Sequence, residues 1–304
     1  MRVLLLLFIG LGVMFGLELP RTHVVDTKWL EKNLDNPKLK IIDVRSQKEY
    51  NETHIKNAVN VPKDAFFKGV LGNVQKLYTS PEELEKTFQY SGIKKDDIVL
   101  FYSAGTVDED FADGASGVWN AWIYGFENGI ILDGGIAKWI DEKRETTKEL
   151  PVVTKSDFAF TSFKKSDIAS IDEILEAIFD DDIQIADART SKAYLGELHR
   201  KDIPRSGRIP TAKLTPVKNL VSKIDNKYYL LLSKKDAEKT LNNNGFGIDL
   251  NKPMITYCNT GHKARGVWFV SKFLVGIKNV SVYDGGMVEY SLTNLKIDTG
   301  EPID

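Results

Sequence analysis

Cysteine is almost absent from this chain: Cys258 is the one thiol in 304 residues. A single thiol excludes an internal disulfide and a zinc cluster built on thiolates. Histidine is scarce too. His23, His54, His199 and His262 lack ligand spacing, so no metal and no cofactor is expected. An excess of either charge is also missing. The net charge of -2 gives no electrostatic case for a nucleic-acid partner. The hydrophobic fraction of 42% and the charged fraction of 28% are those of a globular protein. The length suits about two domains, each with its own core.

Long apolar runs are missing except at the start. Met1-Arg2 precedes an unbroken apolar run from Val3 to Leu17, and Glu18 ends it. As a helix that run spans only about 22 Å, less than the hydrocarbon thickness. It fits a secretory signal, residues 1–17, with export to a Gram-negative-type periplasm. The alternative is an uncleaved anchor in the inner membrane. No stable membrane insertion of the remaining chain is expected.

What is present centres on Tyr257-Cys258-Asn259-Thr260-Gly261-His262-Lys263-Ala264-Arg265. The β-type run Pro253-Met254-Ile255-Thr256-Tyr257 leads in, and the helix-type run from Val267 to Leu274 leads out. A strand thus delivers the sulfur to a short loop, with a helix N-terminus behind it. Loop N–H groups and the helix dipole favour an anion there. His262 and Lys263 are expected to add side-chain cations. Such an environment favours a thiolate, the nucleophilic form, over a buried inert thiol.

The chain also repeats itself. Ile41-Ile42-Asp43-Val44-Arg45 pairs with Ile185-Ala186-Asp187-Ala188-Arg189. His54 to Val59 pairs with Arg208 to Lys213, and Ser80 to Thr87 with Ser233 to Thr240. Gly92 matches Gly245. Ile98 to Ser103 then matches Met254 to Cys258, and Leu132-Asp133-Gly134-Gly135 matches Tyr283-Asp284-Gly285-Gly286. The order is kept and the period is long, so a domain is duplicated: 18–150 and 151–304, with a linker from Ile140 to Phe158.

Strand and helix patterns alternate in each copy, which predicts an α/β class with open parallel sheets flanked by helices. Ser80, Pro81 and Glu83 predict an N-cap, an N1 residue and a capping-box partner. Gly92 and Gly245 fall at helix C-caps. Ligands of such sheets bind at the carboxyl ends of the strands, where Cys258 falls. Ser103 is its counterpart in the first copy, beside the acidic residues Asp108, Glu109, Asp110 and Asp113. A serine without a base is a poor nucleophile, so the first copy reads as catalytically silent. It is expected to wall one side of the site, with a solvated acidic loop.

These residues resemble the tandem-domain rhodanese family, the thiosulfate and 3-mercaptopyruvate sulfurtransferases. The marks are the two Asp-x-Arg strand ends, Gly207-Arg208-Ile209-Pro210-Thr211-Ala212, the cysteine loop and the Asp284-Gly285-Gly286 turn. The resemblance covers nearly all of residues 20–304. It implies a Cys258 persulfide, loaded by a small sulfur-containing anion and unloaded to cyanide or a thiol. It implies donor binding by Arg189 and by Asn259, Thr260, Gly261, His262 and Lys263. The planar fork of Arg189 suits an anion, and an ion pair is its structural alternative. Asp187 and the Asp284 turn read as structural. Lys192, Arg200 and Arg205 read as surface cations, with a place at the mouth of the site as the alternative.

The loop departs from both main subclasses. The thiosulfate type has two basic residues directly after the cysteine, and the mercaptopyruvate type has Gly-Ser-Gly. Here Asn259 and Thr260 come first. Thiosulfate or another inorganic donor is preferred, with 3-mercaptopyruvate as the alternative. A non-enzymatic persulfide or polysulfide carrier is a second reading. Phosphatase chemistry needs an arginine where Ala264 stands.

Overall fold

Fourteen strands among the described residues form two five-stranded parallel sheets and two hairpins. The computed structural model describes residues 17–243 and 247–301. The expected export segment, apart from Leu17, lies outside them, as does Gly245. No helix among the described residues is long and apolar enough to cross a membrane.

The first half holds β1 (Val24–Val25), β2 (Leu39–Asp43), β3 (Ala58–Asn60), β4 (Gly69–Leu71), β5 (Val74–Leu77), β6 (Ile98–Tyr102) and β7 (Gly129–Leu132). The second half holds β8 (Ile168–Ala169), β9 (Gln184–Asp187), β10 (Lys213–Leu214), β11 (Val221–Ile224), β12 (Tyr228–Leu231), β13 (Met254–Tyr257) and β14 (Val280–Tyr283). The sheet orders are β1-β7-β6-β2-β3 and β8-β14-β13-β9-β10, which is the same order read twice. The matched sequence blocks therefore occupy matched strands. Their runs are apolar on both faces because helices cover both faces of a parallel sheet. Every residue of β6 and β13, the central strands, is buried.

The helix Pro81–Tyr90 starts as its sequence predicts, with Ser80 accepting from Glu83 N and Pro81 in the first turn. The capping box expected there is not closed, because the Glu83 side chain does not return to Ser80 N. Complete boxes form instead at Ser46/Glu49 and Ser170/Glu173. Gly92 takes φ +69° just past the helix end, as a C-cap glycine should.

The expected linker is fastened rather than free. His54 N donates to Thr147 O at 2.9 Å, and Ser156 N donates to Gln89 O at 3.0 Å. Phe158 is buried against Phe88 and Phe126. Few other apolar residues are needed to hold a strap when one of its rings packs against two rings of the first domain.

The two halves share a core. The equivalent helices Phe111–Ile123 and His262–Phe269 pack on each other, and Cys258, Phe101, Trp119 and Trp268 fall in one apolar cluster. Gly266 permits the approach, since a Cβ there would lie 3.0 Å from Ala112 Cβ. Each half also lends a hairpin to the other. Tyr78 N, after β5, donates to Asp284 Oδ2 at 2.7 Å, and Leu231 N, in β12, donates to Asp133 Oδ1 at 2.9 Å. Burial raises the carboxyl pKa of both aspartates. The Asp284 turn is thus structural, as expected, and both Asp-Gly-Gly turns serve as sockets between domains.

Candidate active site

Cys258 follows β13 directly and is only 3% exposed. Its carbonyl accepts from Met287 N at 2.9 Å, and the Asn259 carbonyl accepts from Val288 N at 3.1 Å. These bonds tie the cysteine loop to the Asp284-Gly285-Gly286 turn. Gly261 closes the loop at φ +79° and caps the helix that begins at His262. Only glycine takes that conformation readily. Space excludes a side chain as well, because a Cβ would stand 2.0 Å from Asp284 Oδ1. Gly261→Ala is expected to cost about 1–3 kcal/mol of stability and to slow sulfur loading of Cys258. Denaturant titration and a loading time course check this; a variant as stable and as fast as the parent would refute it.

The loop carries a row of free donors. Among the described residues, no carbonyl or side chain accepts from the backbone N–H groups of Asn259 through Ala264. The first copy shows what such a row attracts. There Asp110 Oδ2 accepts from Thr106 N at 2.7 Å and from Val107 N at 3.0 Å. A carboxylate of the chain itself fills the donor row of the first domain. Burial pushes that carboxyl up, and the two N–H bonds oppose the shift. The Ser103 site is also sealed. The cavity there is about 10 Å3, and Val221, Tyr229 and Leu231 of the second domain's hairpin close it.

Arg189 is 4% exposed and belongs to a buried frame. Its Nη2 donates to Asp187 Oδ2 at 2.6 Å and to Gly207 O at 2.8 Å. Tyr257 Oη donates to Asp187 Oδ2 at 2.6 Å. Burial works against the guanidinium charge, but Asp187 and Tyr257 outweigh it and raise the arginine pKa. The first domain repeats this frame. Arg45 Nη2 donates to Asp43 Oδ2 at 2.6 Å and to Thr53 O at 2.7 Å, and Tyr102 Oη donates to Asp43 at 2.6 Å. A frame kept in a copy without the thiol is architectural. What Arg189 adds is Nη1, which reaches Asn259 Oδ1 at 3.5 Å, and the residue lines a cleft.

The two expected loop cations have partners across the domain boundary. His262 Nε2 lies 2.6 Å from Asp113 Oδ1, and Lys63 Nζ holds the other oxygen at 3.2 Å. Lys263 pairs with Glu109. The acidic loop is therefore not simply solvated: its carboxylates latch the first domain onto the cysteine loop. Arg205 is not a surface cation either, since it donates to Ser291 O at 3.0 Å and Leu295 O at 2.8 Å. Two other arginines lie within electrostatic reach of Cys258. Arg265 is fully buried and bonds Asp284 at 2.7 Å. Arg200 is held charged first by its hydrogen bonds to Asp202, with Cys258 contributing. The sequence offers Arg200 only as an alternative residue at the mouth of the site, and no spacing marks Arg265 as a partner of the thiol.

The cleft beside the loop has a volume of about 370 Å3, and both domains line it. Asp108 and Glu109 come from the first domain; Arg189, Lys218 and Lys263 come from the second. A larger cavity, about 1070 Å3, opens near Tyr78 and Phe160. No residue from 258 to 263 lines it, so its size carries no weight for the chemistry.

A duplicated parallel α/β domain, with a cysteine loop only in the second copy, defines a class. The rhodanese-like domain family matches the chain over residues 26–142 and 170–293, and the chain belongs to that family. Each match lies inside one of the two expected domains. A Synechococcus elongatus protein provisionally named a thiosulfate sulfurtransferase is 29% identical over 280 residues, covering 90% of this chain and 83% of its own. The sulfur carrier protein TtuD of Thermus thermophilus is 28% identical over 289 residues, covering 91% and 97%. Among solved structures, the 3-mercaptopyruvate sulfurtransferase SseA of Escherichia coli superposes with a TM-score of 0.74 at 24% identity, over 86% of this chain and 98% of its own. That likeness concerns the fold.

Proposed function

We propose that this protein is a sulfurtransferase in which Cys258 carries the transferred sulfur as a persulfide. The free donor row at Asn259–Ala264 carries this reading, because its counterpart in the first domain already holds a carboxylate. An anion is what that row is built to hold, and it adjoins the one thiol. The Cys258 thiolate attacks the outer sulfur of thiosulfate. A new S–S bond forms, the donor S–S bond breaks, and sulfite leaves with the electron pair. Asn259, Thr260, Gly261, His262 and Lys263 frame the resulting persulfide through their N–H groups. His262 and Lys263 act mainly through their domain latches, and Arg189 offers the donor only its Nη1 edge. Cyanide or a thiol then takes the sulfur. 3-Mercaptopyruvate is the alternative donor, with pyruvate enolate as the leaving group.

The test is intact mass after incubation with thiosulfate and, separately, with 3-mercaptopyruvate. A gain of one sulfur atom is expected with at least one of them. A chain that gains none from either sinks the reading. The similarity to TtuD favours a carrier as the second reading. Catalytic turnover with small acceptors separates the two, since a carrier loads but does not cycle.

The compartment is proposed from the sequence alone: export by the run Val3 to Leu17 into the periplasm, with inner-membrane anchoring as the alternative. Fractionation and N-terminal sequencing of the product are expected to find a cut near Leu17 or Glu18. A full-length cytosolic product would defeat both versions.

A further inference from the structure

The cavity of about 1070 Å3 lies on the domain boundary, away from residues 258 to 263. The β4–β5 hairpin of the first domain, the strap at 160–163 and the second domain around Ile168 and the Asp284 turn all line it. Its wall is aromatic. The Tyr124 ring lies 5.2 Å from Phe160, 5.8 Å from Phe163 and 6.4 Å from Tyr78, centre to centre. Tyr124 Oη donates to Thr79 O at 2.8 Å, so the hydroxyl is taken and the ring remains. Leu71 and Phe163 stay more than half exposed, so nothing else in the described chain covers them. The charge is one-sided. Glu82, Glu83, Glu85 and Glu289 line the cavity against Lys68, while Asp284 is matched by Arg265. Among the described residues, none of the four glutamates enters an ion pair. Glu85 Oε1 accepts from Phe160 N at 2.8 Å, and Glu289 Oε2 fills the space a Gly285 side chain would need. Burial raises the Tyr124 phenol pKa, and Tyr78 and Glu82 add to it, which places the Glu82 charge near the ring. Two helix N-termini, at Pro81 and Ile171, would favour an anion. The first already has Glu82 and Glu83 in its opening turn, and the second has a closed capping box.

We propose that this cavity binds an organic ammonium ion with an apolar body, its charge among the glutamates and its body on the Tyr124, Phe160 and Phe163 rings. The site is separate from Cys258 and is independent of the persulfide reading. Ring faces attract a cation, and more strongly where water is partly excluded. An anion of the same size meets an excess of like charge. A neutral apolar molecule gains the wall but not the charge. An inorganic cation gains the charge but leaves the wall in water. Only a molecule with both parts uses both. The volume is at the upper end of small-ligand sites, so a body of one or two rings fits.

The experiment is calorimetric titration of the full chain with three probes of similar body. 2-Phenylethylamine is an ammonium at neutral pH, 2-phenylethanol is neutral, and 3-phenylpropionate is an anion. The amine is expected to bind with a Kd on the order of 1 mM or tighter, about tenfold or more below that of the alcohol, with the anion weakest. The double variant Glu82→Gln with Glu83→Gln is expected to weaken the amine about tenfold, one charge-assisted contact, and to leave the alcohol unchanged. Phe163→Ala is expected to weaken amine and alcohol alike. These three side chains are exposed, so the variants keep the core packing. Cys258→Ser is expected to bind the amine as the parent does. No saturable amine binding, or equal affinity for all three probes, overturns the proposal. Amine affinity unmoved by the glutamate and Phe163 variants, or lost in Cys258→Ser, overturns it as well, by placing the amine elsewhere. None of these results bears on sulfur loading, which intact mass reads separately.

Discussion

Cys258→Ser is expected to abolish sulfur loading while leaving the fold in place. The thiolate is the bond-forming atom, and a serine hydroxyl at the same point has no base to deprotonate it. The first domain already presents this case, since Ser103 follows β6 as Cys258 follows β13. Serine is therefore compatible with the strand end and the loop. Losing the nucleophile is expected to lower turnover on the order of 10⁴-fold or more. Intact mass after exposure to thiosulfate is the direct measurement, with sulfite release as the kinetic one. A sulfur adduct on the serine variant would place the acceptor atom elsewhere. A variant that fails to fold would instead show that the buried thiol is part of the shared core, and Cys258→Ala, which asks for no buried hydroxyl, would then carry the test.

Much of this architecture was legible because it depends on local signals. The apolar runs Ile98–Tyr102 and Met254–Tyr257 have no polar face, so they predict central parallel strands. The order of the repeated blocks predicts two equal sheets. Gly261 marks a turn that only glycine closes readily. What stayed hidden depends on pairs far apart in the chain. His262 looks like a cation for the thiolate until Asp113, 149 positions away, takes its Nε2. Lys263 and Glu109 behave in the same way. In sequence, Arg189 alone of the Asp-x-Arg residues reads as donor binding, with an ion pair as its alternative. The matching frame of Arg45, Asp43 and Tyr102 gives the Nε and Nη2 side of that guanidinium an architectural role as well. The acidic stretch Asp108–Asp113 is uniform in sequence, yet its members do three different things. Asp110 fills a donor row, Asp113 and Glu109 latch the domains, and Asp108 faces the cleft. Charge type is written in sequence; charge partnership across a domain boundary is not.

Asp284→Asn is expected to produce the largest loss of stability. Arg265 is fully buried, and its charge is met by Asp284 Oδ1, 2.7 Å from Nη2 and 3.2 Å from Nε. Its Nη1 donates to Phe66 O of the first domain at 3.0 Å, and the guanidinium lies over the Trp119 and Phe67 rings. The asparagine keeps the shape and an acceptor for Tyr78 N. It leaves the guanidinium charge uncompensated, and arginine does not relieve that by losing its proton. Breaking a buried pair from one side costs about 3–5 kcal/mol. The double variant Arg265→Met with Asp284→Asn is expected to be more stable than the single one, because the stranded charge is gone. Denaturant unfolding of the three proteins reads both effects. Single and double variants of equal stability would mean that the charge is not what the pair supplies. The same change is expected to slow sulfur loading, for a geometric reason. Asp284 Oδ1 packs where a Gly261 side chain would sit, and the turn it begins bonds the carbonyls of Cys258 and Asn259. The socket that receives the first domain's hairpin is also the back wall of the cysteine loop, so domain docking and nucleophile placement are held by one carboxylate.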